Sequence, residues 1–101
     1  MDDPQQALRR LFELLNLPVP SGSICGVDVY LPILDRIRQE GAVFLLKWDG
    51  ERSNNQYTAL AKRPQDEEFF RLDGPTIEAV LSRVVLDYAH HYWNLPKERT
   101  Q

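Results

Sequence analysis

Phe69-Phe70-Arg71-Leu72-Asp73-Gly74-Pro75 runs almost directly into the segment Ile77 to Trp93, so a strand must give way to a helix with hardly any chain between them. Ile77, Val80, Leu81, Val84, Val85, Tyr88 and Tyr92 recur at three- and four-residue steps, the period of a helix with one apolar stripe. Pro75 fits the first turn of that helix, where its missing N–H costs nothing. A helix joined so tightly to a strand packs back on the sheet that the strand belongs to.

The segments upstream complete an α+β domain. Asp3-Pro4-Gln5-Gln6 reads as a helix start, with an Asx cap, a first-turn proline and a Gln able to reach back. Leu8, Leu11, Phe12 and Leu15 form its stripe, widened by Ala7 and Leu14, and the helix ends before Pro18. Residues 18–27 (PVPSGSICGV) form a surface connection. A second helix then runs to Glu40, with Gly41 supplying a left-handed terminus; either Asp28 caps it or Pro32 opens it. Tyr30, Ile33, Leu34 and Ile37 share one side of that helix.

Ala42 to Trp48 and Gln56 to Lys62 read as a β-hairpin around the polar tip Asp49 to Asn55, and a third strand spans about Glu68 to Leu72. Short connections favour a three-stranded antiparallel meander carrying two N-terminal helices and a C-terminal one. The whole chain, residues 1–101, is expected to be a single domain with a polar tail from about Asn94.

The order helix, three strands, helix resembles the double-stranded RNA-binding domain. That family contacts phosphates through lysines at the start of its last helix, whereas the matching stretch here, Asp73-Gly74-Pro75-Thr76-Ile77-Glu78, is acidic. The resemblance covers topology and implies no function.

Composition narrows the function classes. With 43% hydrophobic and 27% charged residues the chain is ordinary globular protein, and no apolar run approaches the roughly 20 residues of a membrane span. A net charge of −3 with interspersed signs argues against nucleic acid and anionic membrane surfaces as partners. Met1 to Pro4 shows no secretory pattern and Cys25 is the sole cysteine, so a cytoplasmic location is the expectation.

No residue set names a reaction, and an enzyme is not expected. His90 and His91 point about 100° apart on a helix and cannot share one ion. Asp87 and His91 have ligand spacing but lack further ligands nearby, and Asp87 can pair instead with Arg83. Cys25 has no base near it in sequence and reads as a small buried residue. Asp66, Glu67 and Glu68 read as a solvated loop. Neither a metal nor another cofactor is implied.

The sheet offers the sharper candidates. Period two aligns Phe44, Leu46 and Trp48 with Leu60, Phe70 and Leu72 as the core side, and leaves Val43, Leu45, Lys47, Tyr57, Ala59, Ala61, Arg63, Phe69 and Arg71 on the other. That second face is covered by the chain's own helices or offered to a partner. At the hairpin rim, Trp48 and Tyr57 either pin the two strands together or, with Arg52, contact a partner. Together these residues suggest a non-catalytic protein-interaction module of adaptor, regulatory or neutralising type. Its partner-binding residues would be Trp48, Arg52, Tyr57, Lys47, Arg63, Phe69 and Arg71. The alternative is a nucleic-acid binder using the aromatic and basic sheet-face residues Tyr57, Phe69, Lys47, Arg63 and Arg71. A first strand apolar on both faces at a sheet edge also predicts a homodimer burying Val43 and Leu45.

Overall fold

The structure is a computed structural model in which residues 4–97 are described. The expected Asp3 cap and the end of the polar tail, Glu98 to Gln101, lie outside that range. The chain forms α1 (Pro4–Leu14), a 3-10 turn (Asp28–Tyr30), α2 (Leu31–Gln39), β1 (Val43–Trp48), β2 (Tyr57–Lys62), β3 (Phe69–Gly74) and α3 (Ile77–Tyr92). The strands form one antiparallel sheet in the order β1-β2-β3. This is the expected α+β meander. Helix α3 lies across β2 and β3, α2 packs beside β1, and α1 packs on α3, so all three helices occupy one side of the sheet.

Each boundary has a local cause. Helix α1 buries Ala7, Leu8, Leu11 and Phe12 and ends where Asn16 takes a positive φ of 58°, which lets the Leu17 N–H reach back to the Phe12 carbonyl (2.9 Å). Leu14, expected on the buried stripe, is instead exposed. The two readings of the α2 start merge: Asp28 opens a 3-10 turn that continues directly into α2, with Pro32 in its first turn. Gly41 supplies the positive φ, 85°, that ends the helix. Pro75 stands outside the helix, just before the cap, rather than in its first turn. Thr76 is the N-cap of α3, its hydroxyl accepting the Ala79 N–H at 3.1 Å. Beyond α3 the chain does not fray at Asn94, because Leu95 is buried and its N–H is bonded to the Ala89 carbonyl.

The sheet departs from expectation in the facing of β2. Trp48 stands opposite Tyr57, so Leu46 pairs with Ala59 and Phe44 with Ala61. On β3 the partners of those alanines are Leu72 and Phe70. Residues directly opposite one another share a face, which puts Ala59 and Ala61, both 0% exposed, beneath α3. Leu60 points the other way, beside Leu45 and Arg71. The expected inward Leu60 and outward Ala59 and Ala61 are thus reversed. Small side chains in the middle of the sheet let the helix approach closely. Gly74 extends the same arrangement, since a Cβ there would stand 2.8 Å from a Val80 methyl.

Ala61→Leu should therefore overfill the layer under α3 and cost about 1–3 kcal/mol in chemical denaturation. Leu60→Ala should cost about 1 kcal/mol or less. The reverse ranking would restore the opposite facing of β2.

Candidate functional site

The helix-free side of the sheet carries three rows of side chains: Val43, Lys62 and Phe69; Leu45, Leu60 and Arg71; and Lys47, Thr58 and Asp73. Val43 (56% exposed), Leu45 (52%) and Phe69 (51%) stand open to solvent, with the half-buried Leu60 between them. Of the predicted partner residues, Lys47, Phe69 and Arg71 are on this face, together with both predicted dimer residues. Leu60 and Lys62 belong to it as well, though the sequence reading did not place them there.

The apolar rows pass into a charged margin. Asp73 accepts the Thr58 hydroxyl at 2.6 Å and lies 3.1 Å from the Arg52 guanidinium and 3.4 Å from that of Arg71. Asp49 lies 3.3 Å from both Lys47 and Arg52, and its Oδ1 accepts the Glu51 N–H at 3.0 Å. The Lys62 ammonium donates to the carbonyls of Arg63 (3.1 Å) and Asp66 (2.6 Å). Four cations thus face two carboxylates on this side of a chain whose net charge is −3. The Thr58 hydroxyl first, then Arg52 and Arg71, holds the Asp73 carboxyl below its ordinary range. The Glu51 N–H and then Lys47 do the same for Asp49.

The other four predicted partner residues are arranged differently. Trp48 and Tyr57 are on the helix side, in an edge-to-face pair with centroids 6.3 Å apart. Trp48 is nonetheless 61% exposed at the rim, and Arg52 is in the hairpin tip. Arg63 turns inward. Its guanidinium donates to Glu40 Oε1 (2.7 Å) and to the Tyr88 hydroxyl (3.0 Å) and lies 3.8 Å from the centre of the Tyr92 ring. Glu40 also accepts the Tyr88 hydroxyl (2.8 Å) and the Trp93 indole N–H (2.6 Å). Tyr92 in turn donates to Asp66, and that hydrogen bond pushes the phenol up to about 12. Arg63 is therefore part of a clasp joining the end of α2, the end of β2 and the end of α3.

The remaining candidates are dispersed. His90 Nδ1 is hydrogen-bonded to the Leu95 carbonyl (2.8 Å), and His91 Nε2 lies 3.4 Å from Glu68. Asp87 lies 3.9 Å from Arg83, and burial raises its carboxyl above the ordinary range against the opposing pull of Arg83. Among the described residues no three or more His, Cys, Asp or Glu groups come together as metal ligands. Cys25, read as buried, is exposed. The acidic loop is less free than expected, since Asp66 holds Tyr92 and Glu68 faces His91. Among the described residues no helix is long and apolar enough to cross a membrane.

Glu40→Ala should strand the Arg63, Tyr88 and Trp93 donors and cost about 2 kcal/mol in urea denaturation. For Asp73 the sign follows from its lowered pKa. The folded state holds the carboxylate more strongly than the unfolded chain does, so its contribution is present at neutral pH and disappears as pH falls through the lowered pKa. Asp73→Asn should therefore be less stable than the parent chain at pH 7, and the gap should close below the ordinary Asp range. A gap that is the same at both pH values would remove this account of Asp73.

No protein-family model, curated protein or solved structure matches this chain.

Proposed function

We propose that the chain is a non-catalytic protein-interaction module that binds a partner protein through the open sheet face and the adjoining hairpin rim. The observation that carries this reading is the continuous apolar surface of Val43, Leu45, Leu60 and Phe69, left outside the helical layer and bordered by Lys47, Lys62, Arg52 and Arg71. Exposed apolar patches rimmed by polar residues mark interaction sites. The local excess of positive charge fits a partner surface that is apolar at its centre and acidic at its edge. Two of these faces packed together would set like charges against each other, which favours a different protein over a second copy on this face.

A nucleic acid fits the face less well. Single-strand binders stack successive bases on several aromatic rings, and here Phe69 is the aromatic side chain on the open side of the three strands, Tyr57 being turned to the other.

Affinity capture from the native lysate should recover a stoichiometric protein, and either Leu45→Glu or Phe69→Glu should weaken that capture at least about tenfold while the chain stays folded. Folded variants that retain full capture would overturn the assignment of the face. Recovery of the chain alone across several salt conditions would overturn the module reading itself. Binding of a labelled single-stranded nucleic acid at about 50 mM salt, lost in Lys62→Glu, would transfer the face to the alternative.

A further inference from the structure

The hairpin ladder fixes which backbone groups of β1 are free. The Asp49 N–H donates to the Gln56 carbonyl at 2.7 Å, so Asp49 and Gln56 are a hydrogen-bonded pair. In an antiparallel ladder such pairs alternate with non-bonded ones. The register then makes Lys47–Thr58, Leu45–Leu60 and Val43–Lys62 the bonded pairs. Phe44, Leu46 and Trp48 therefore turn their N–H and C=O groups away from β2, and among the described residues no strand pairs with β1 on that side. The edge lacks the usual protections, having neither proline nor bulge, and Lys47 is its one charged residue.

Beside this edge lies a groove of about 370 Å³, lined by Leu34 and Arg38 of α2 and by Ala42, Val43, Phe44 and Leu46. Free backbone groups with an apolar groove alongside them form a receptor for extended chain, which supplies both a matching ladder and side chains at every second position. We propose that β1 takes an extended segment of the partner protein as a fourth strand. The segment would be apolar toward the groove and apolar or acidic toward Leu45, Lys47 and the open face. This rests on the reading of the chain as a protein-interaction module and specifies how the partner is held. A second copy is a poorer occupant. Pairing β1 with β1 about a two-fold axis would bring the other copy's α2 to the same seam from the same side, where an isolated strand brings no helix.

Amide hydrogen exchange of the intact chain tests this directly. Without ligand, the Leu45 and Lys47 amides should be protected and those of Phe44, Leu46 and Trp48 should exchange freely. A capped synthetic ten-residue peptide of alternating Val and Glu should slow exchange at those three positions at least tenfold. A version N-methylated at alternate backbone amides, or carrying Lys in place of Glu, should bind at least tenfold more weakly. Unchanged exchange at about 1 mM peptide, or equal binding of the N-methylated peptide, would overturn the proposal. So would protection at the three positions that grows with chain concentration in the absence of peptide, which would assign the edge to a second copy. Failure here is separable from failure of the wider reading. A captured partner that is lost in Phe69→Glu yet leaves the three amides unprotected would overturn strand addition and keep the face. Peptide protection with no partner captured would support the edge and overturn the module reading.

Discussion

The register of one hairpin decides what this molecule presents to its surroundings. Trp48 opposite Tyr57 sets the facing of every residue in β2, and β2 is the strand between the other two. Moving that pairing by one residue would turn each β2 side chain to the opposite face. Leu60 would be driven under α3, and the alanines that let the helix approach would be displayed to water. The local polar contacts support the register: Asp49 bonds to the Gln56 carbonyl, the Gln56 amide donates to the Arg52 carbonyl (2.6 Å), and Asp73 ties Thr58 to Arg52. Turn chemistry and core packing thus select the same arrangement, a mutual support expected of a sequence with one native state.

At the opposite end of the sheet the arrangement is held by polar atoms. Glu40 gathers a guanidinium, a phenol and an indole, so that the last residue before Gly41, the residue after β2 and the last turn of α3 all meet at one carboxylate. Every buried side-chain polar atom among the described residues has a partner. A fully satisfied network favours a single geometry over its near alternatives. Such a network also accounts for the inward turn of an arginine that follows a strand and looks, from its position, like a surface residue.

Much of the fold was legible because it rests on local rules. Helical periodicity, the glycine after α2, the polar hairpin tip and the tight β3–α3 handover lie in short stretches of chain, and each appears where the residues place it. The facing of β2 was lost because side-chain size was allowed to choose the core side. Leucine outranks alanine in hydrophobicity, but the layer beneath α3 is selected for thinness. The correction was present in the sequence: if Trp48 and Tyr57 meet across the hairpin, then Ala59 and Ala61 must share their face. Of the candidate site, Val43, Leu45, Lys47, Phe69 and Arg71 were recoverable from period two alone. The clasp was not, because its members are separated by as many as 53 residues and meet through tertiary packing.

The position of α1 bears on how the chain is made. Its buried stripe of Leu8, Leu11 and Phe12 is made before the other helices and strands of the described fold, yet the element it packs on is α3, the last helix among the described residues. The connection between α1 and α2 is strapped down locally, Gln5 exchanging two bonds with Ile24 (2.9 and 2.6 Å), but Gly26 waits on Glu78 of α3 for its partner (2.9 Å). While the meander forms from neighbouring strands, the surface of α3 that α1 packs on is still missing, and the leucines and phenylalanine of α1 stay in water until α3 has been made. That interval is when a nascent chain of this design is most open to chaperones, to proteases and to association with its neighbours.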